Sequence, residues 1–272
     1  MTVLPTRLAA LLAPAFAIAL AATASAQTTT VQRDVPYVPT PEHVVKRMLE
    51  LAEIKKGEFM MDLGSGDGRI AIAAARDHGA TAVGIDIDPQ RISEANENAK
   101  KAGVSDRVTF KQENIFTTSI KEADVITMYL LTTVNQKLRP RLLEELRPGT
   151  RLVSHAFDMG DWEADVYETV DSRSVYLWIV PAKAEGEWTV KDGAQTFDLK
   201  LSQRFQMLSG TATVGGKQTP VKNGKLNGTE IVFTVDIDGK PTTYQGRISG
   251  DKIEGAAGTA ANKRDWSAAK KG

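Results

Sequence analysis

The sequence has no cysteine and only three histidines in 272 residues. Without thiolates there is no disulfide, no cysteine nucleophile and no thiol-rich zinc site. His43, His78 and His155 fall in separate segments, and no pair has metal-ligand spacing. No metal is expected. An excess of either charge is also missing, because 34 Lys and Arg balance 34 Asp and Glu. Proteins that grip nucleic acid through its phosphates show a basic excess or a basic stripe, so nucleic acid is not the expected substrate. Two common nucleotide signatures are absent: the dinucleotide fingerprint G-x-G-x-x-G and the phosphate loop ending in G-K-[ST].

The one long apolar run lies near the start. In residues 1–26 Arg7 is the only charge, Leu8 to Ala22 is apolar, and Ala24-Ser25-Ala26 precedes Gln27. A charged start, an apolar middle and an A-x-A site form a secretory signal peptide, so export to the periplasm with cleavage after Ala26 is expected. The run is too short and alanine-rich for a membrane span, and a lipoprotein anchor would need a cysteine. Removing the leader takes away one Arg and leaves the mature chain nearly neutral.

What is present is concentrated between Glu58 and Arg69, where EFMMDLGSGDGR runs from an apolar strand to Asp62 and into a glycine-rich loop. Gly64, Gly66 and Gly68 lack a Cβ, so the backbone can take positive φ and approach a ligand closely before a helix starting near Arg69. A second strand, Thr81 to Ile85, ends at Asp86, about twenty residues beyond the loop, where an acid commonly grips a ribose. The loop is G-x-G-x-G, with no lysine to face a pyrophosphate and with Asp67 where an anion would be repelled. A ligand with a cationic or zwitterionic head fits better. Taken alone, the loop also reads as a tight turn between a buried strand and a helix.

This stretch resembles motif I of the class I S-adenosylmethionine-dependent methyltransferases. The resemblance implies S-adenosylmethionine as cofactor, with Asp62, Gly64, Ser65, Gly66 and Asp67 around its amino-acid part, Asp86 on the ribose hydroxyls and Ile87 packed on adenine. A third expected strand, Val108 to Phe116, brings Asn114 and Ile115 to the adenine end. The family often has an aspartate at the position of Asn114, and the asparagine oxygen can still accept from an amino group. A fourth strand, Ala123 to Tyr129, points its end at the cofactor methyl. DVPYVPTP (Asp34 to Pro41), MDLGSGDGRI and VNQKLRPRLLEELRPGTRLVSHAF narrow the likeness. Together they are similar to the lysine methyltransferases that include the ATP synthase c-subunit enzyme, and more distantly to the non-SET enzymes that methylate a nucleosomal lysine. The likeness runs from about Asp34 to Val180.

A protein lysine is the acceptor this resemblance implies, with Tyr37 and Thr40 near the methyl group. The same segment has a local reading: Thr40 as N-cap and Pro41 at the first position of a helix with Val44, Val45, Met48 and Leu49 as its apolar stripe. Tyr129 is the candidate for orienting the acceptor or taking a water-relayed proton. Amide-directed and adenine-directed methyltransferases carry [DN]-P-P-[FYW] here, whereas this chain reads Met128-Tyr129-Leu130-Leu131, which argues against planar nitrogens. His155, in an expected fifth strand from Arg151 to Phe157, reaches the edge of the site in a structural rather than catalytic capacity. Trp162 either lines an acceptor cleft or packs.

The expected architecture is α/β: a Rossmann-like, seven-stranded, mostly parallel sheet with flanking helices over residues 27–182. After Pro181 helical periodicity gives way to short Thr-, Val- and Gly-rich runs separated by turns, which predict a small antiparallel β domain, barrel or sandwich, over residues 183–272. It is a docking module, a cap or a dimerisation surface. Two other functions stay open: a non-catalytic cofactor-binding module of the cell envelope, and a small-molecule methyltransferase.

Overall fold

The computed structural model describes residues 1–2, 35–259 and 262–272. Apart from its first two residues, the expected signal peptide lies outside the described residues. Val44, Val45, Met48 and Leu49 fall on one face of α1 (Glu42–Leu51), and all four are buried. β1 (Phe59–Leu63) is apolar almost throughout, as a central strand covered on both faces must be. α2 (Arg69–His78) buries the whole run from Ile70 to Ala75. After β2 (Thr81–Asp86), Asp88 starts α3 (Pro89–Lys101): its carboxylate accepts the Gln90 N–H at 2.9 Å, and Pro89 occupies the first helical position. β3 (Val108–Gln112), β4 (Val125–Met128), α4 (Thr132–Glu145), β5 (Arg151–His155), β6 (Val166–Val170) and β7 (Arg173–Ile179) complete the unit.

The seven strands form one sheet in the order β3-β2-β1-β4-β5-β7-β6. β7 is antiparallel to both neighbours, and the other pairs are parallel. The chain leaves β1 toward β2 on one side and returns to β4 on the other. The crevice beyond the C-terminal ends of β1 and β4 is therefore the switch point at which such sheets bind ligands. Three strands end earlier than the sequence suggests: β3 at Gln112 rather than Phe116, β4 at Met128 rather than Tyr129, and β5 at His155 rather than Phe157. The chain bends away from the sheet at these ends. Asn114 Oδ1 accepts the Phe116 N–H at 2.9 Å in a turn, and Ala156 takes a φ of 65°.

The C-terminal residues close into a barrel. β8 (Gly186–Asp192), β9 (Gln195–Arg204), β10 (Met207–Val214), β11 (Lys217–Pro220), β12 (Lys222–Asn227), β13 (Glu230–Ile237), β14 (Lys240–Ser249), β15 (Lys252–Thr259) and β16 (Asn262–Lys270) pair antiparallel with their chain neighbours, except that β11 and β12 both pair with β10 and not with each other. β11 and β12 act as one strand interrupted at Val221, and β16 pairs with β8, so eight staves form a ring. Full closure leaves no open edge, and this resolves the choice between barrel and sandwich. The interior is aromatic: Phe233 stacks on Tyr244 at 5.1 Å, and Trp266 meets both edge-on at 5.6 and 5.1 Å. The buried Asp192 carboxylate is matched by the Tyr244 hydroxyl at 2.7 Å and by the Arg264 guanidinium. Asp238 and Gly239, with φ of 50° and 77°, make the two-residue turn between β13 and β14.

Candidate active site

At the switch point a cavity opens between the ends of β1, β2 and β4 and the segment from Val35 to Thr40. Tyr37, Thr40, Asp62, Gly64, Ser65, Gly66, Asp67, Asp86, Ile87, Asn114, Ile115 and Tyr129 all line it. So do Arg69, Arg91, Glu113 and Leu130, which sequence reasoning missed. Arg69 and Arg91 were legible only as basic residues on helices facing an acidic loop.

The loop is shaped by its glycines and by Asp86. Gly64, Gly66 and Gly68 have φ of 78°, 51° and 81°. A Cβ on Gly66 would stand 2.5 Å from the Tyr37 ring, and one on Gly68 would stand 2.4 Å from Phe110. Asp86 accepts the Gly66 N–H through one oxygen and the Asp88 N–H through the other, each at 2.9 Å. Each oxygen keeps a further lone pair. Asp86 thus holds the loop in place and still presents acceptors to the cavity.

The acids differ in how they are balanced. Burial works against ionisation of Asp67, but hydrogen bonds and charge from Arg69, with the Tyr37 hydroxyl, outweigh it and hold the carboxyl below the usual range. Its charge is therefore matched, and the repulsion expected of it belongs instead to Asp62. That side chain is buried, with Oδ1 accepting from Thr127 at 2.7 Å and Oδ2 unpaired. Burial, and then the charges of Asp86 and Asp67, push its carboxyl up to about 7.

The segment from Val35 to Thr40 forms the opposite wall. Tyr37 lies over Gly66 with the Arg91 guanidinium 4.7 Å from its ring, and Arg69 Nη1 donates to the Thr40 carbonyl at 2.9 Å. Thr40 does not cap α1, which begins directly after Pro41 with no side-chain cap. Its hydroxyl instead pairs with His155 Nδ1 at 3.1 Å, because the strand end of β5 reaches it first. His155 is buried against the Tyr129 ring, 3.9 Å between centroids, and burial together with the Arg173 charge pushes it down to about 4. Phe157 stacks beyond Tyr129 at 6.0 Å. Trp162 is not at the cavity; it is buried against Trp178 and Phe205. Among the described residues no cluster of three His, Cys, Asp or Glu could hold a metal ion.

Residues 62–166 match the ANTKMT methyltransferase domain. A protein-lysine N-methyltransferase of Saccharolobus islandicus is 48% identical over 151 residues, which cover 54% of this chain and 94% of that one. This chain belongs to that family, the S-adenosylmethionine-dependent methyltransferases of class I. A Salinibacter ruber RNA methyltransferase, crystallised with S-adenosyl-L-homocysteine, is 55% identical with a TM-score of 0.53 and covers 54% of this chain and 95% of its own. The ATP synthase c-subunit lysine N-methyltransferase of Xenopus laevis is 29% identical over 48% of this chain, which spans 57% of that enzyme.

The methyltransferase's pocket fits its cofactor on a specific ground. Asp62 Oδ2 and Ser65 Oγ are buried polar atoms without partners, and buried polar atoms are almost always satisfied. The ammonium of a methionine moiety offers the missing donors and the missing positive charge. Asp62 and the glycine loop would hold that part, Asp86 the ribose hydroxyls, and Ile87, Asn114 and Ile115 the adenine. Asn114 Oδ1 already serves Phe116 and has one lone pair left for a ligand.

Proposed function

We propose that this enzyme methylates the ε-amino group of a protein lysine. The observation that carries the reading is the wall at the end of β4, where Tyr129 is backed by neutral His155 and no acid or amide side chain stands in the Met128-Tyr129-Leu130-Leu131 run. Planar nitrogens need such groups, whereas an aliphatic amine needs an apolar lining and a way to lose a proton. S-adenosylmethionine supplies a methyl group activated by sulfonium charge. The protein's own task is to align a neutral nitrogen and exclude water. A lysine, with an ordinary pKa of about 10.4, must be deprotonated first. The Tyr129 hydroxyl would orient the amine or pass its proton to water, and Tyr37 and Thr40 would close the opposite side. An uncharged His155 adds no positive charge behind Tyr129 to oppose the incoming ammonium.

The names of the relatives divide: the Saccharolobus protein is a lysine methyltransferase, and the Salinibacter protein is described as an RNA methyltransferase. The second name favours RNA as an alternative acceptor. The even charge balance of this chain, 34 basic against 34 acidic residues, favours protein. The test offers labelled S-adenosylmethionine with a protein fraction and an RNA fraction in parallel. Protease-sensitive label supports the lysine reading, and label confined to RNA overturns it. We further infer export from residues 1–26; Edman sequencing of the mature protein should begin at Gln27.

A further inference from the structure

β5 and β6 run parallel, since each is antiparallel to the β7 strand between them. Parallel strands are usually linked by a crossover helix. Here residues 156–165 make the crossing with no helix and only an isolated bridge between Met159 and Trp162. A segment with so few hydrogen bonds of its own keeps one shape only if its surroundings hold it.

It is held along β7, where Trp178 Nε1 donates to the Trp162 carbonyl at 2.8 Å, and from three further sides. At the end of β5, Ser154 Oγ donates to the Phe157 carbonyl at 2.6 Å. From α4, Asn135 Nδ2 donates to the Phe157 and Asp158 carbonyls at 3.2 and 3.1 Å, and Arg139 Nη1 donates to that of Met159 at 2.7 Å. The third side is the barrel. Gln206, buried in the turn between β9 and β10, accepts the Trp162 indole N–H at 2.9 Å and donates to the Glu163 carbonyl at 2.8 Å. Phe205 beside it stacks on Trp162 at 5.7 Å, with 18° between the rings. Its φ of 54° is that of the first residue of the two-residue hairpin turn between Arg204 and Met207, a place here taken by a phenylalanine.

We propose that Phe205 and Gln206 are positioning residues of the active site: they do the work of the missing crossover helix and fix the loop whose Phe157 backs Tyr129. The barrel is then part of the acceptor wall and not a separable appendage. It acts on the side of the pocket away from Asp62 and Asp86, so its effect falls on methyl transfer and spares cofactor binding. This inference rests on the assignment of Tyr129 to the acceptor side.

The test uses the full chain with Phe205→Ala and Gln206→Met, followed by hydrogen exchange and by calorimetric titration with S-adenosylhomocysteine. Faster exchange across residues 156–165, extending to the Tyr129 segment, is expected, with unchanged ligand affinity and with recovery in Phe205→Tyr. Methyl transfer should fall about 10- to 100-fold in kcat, as for a misplaced wall, with KM for the cofactor unmoved. Should either variant fail to fold, Asp161→Asn is milder: this exposed side chain bridges Arg139 at 2.5 Å and Arg204 at 2.9 Å around Phe205. Exchange changes confined to the barrel and residues 161–165, or a parallel loss of ligand affinity, would overturn the proposal. If no acceptor takes label, the lysine reading fails, while the exchange pattern still decides the role of the barrel.

Discussion

Asp62 is the residue whose proposed role in cofactor binding is most open to test. Its carboxyl is held near 7 by burial and neighbouring acids, so in the free enzyme the folded state keeps a proton that an unfolded chain releases at about 4. The folded state binds more protons between those values, so this contribution to stability is full below about 4 and is lost as pH rises to about 7. A cationic ligand favours the ionised form, so binding below pH 7 must release a proton. Affinity for S-adenosylmethionine should therefore rise with pH by up to about tenfold per unit and level off above 7. Asp62→Asn should bind more weakly and lose this slope, as calorimetry between pH 5.5 and 8 would show; a wild-type affinity independent of pH would contradict the assignment. Gly66 gives a second residue-scale prediction. Gly66→Ala puts a Cβ into the Tyr37 ring at positive φ, a backbone cost of about 1–2 kcal/mol before any repacking. Weaker cofactor binding together with a lower thermal midpoint is expected, and normal binding would mean that Tyr37 does not cover the loop.

The elements around the site were readable to different degrees. Asp62, the glycines and Asp86 could be placed from sequence because local rules fix them: apolar strand, positive-φ loop, helix, strand, acid. Thr40 could not. Its position before Pro41 fits a cap, but the partner that takes its hydroxyl is 115 residues away on β5, and no local pattern reports a contact of that kind. The strand ends were overextended for a related reason: the apolar alternation of Val108 to Phe116 continues into a turn that Asn114 closes with its own side chain. The pairing of Thr40 with His155 ties the segment over the pocket to the sheet, and both side chains are buried. Thr40→Val keeps the shape but leaves a buried ring nitrogen unpaired, which should cost about 1–3 kcal/mol. A lower denaturation midpoint with an unchanged slope is the expected result, and an unchanged midpoint would show that the pair contributes nothing.

Across the whole molecule, the sequence announced two kinds of structure and no more. The change in composition after Pro181 marked a β domain, yet barrel closure depends on β16 meeting β8, and the seating of the barrel on the sheet depends on Trp162, Phe205 and Gln206. These pairings are too distant in the chain for periodicity to show. Because the contact buries an indole and its hydrogen-bond partner, the sheet and barrel should unfold together, and calorimetry should show one transition; two well-separated transitions would contradict a shared core. The central claim concerns the acceptor, and it is tested most directly by the chemical position of the label. Methyl-labelled product from the protein fraction should be digested and sequenced by mass spectrometry. The account predicts label on a lysine ε-nitrogen, with turnover lowered by Tyr129→Phe while cofactor affinity holds. Label on a nucleobase, or on any protein atom other than that nitrogen, would contradict it.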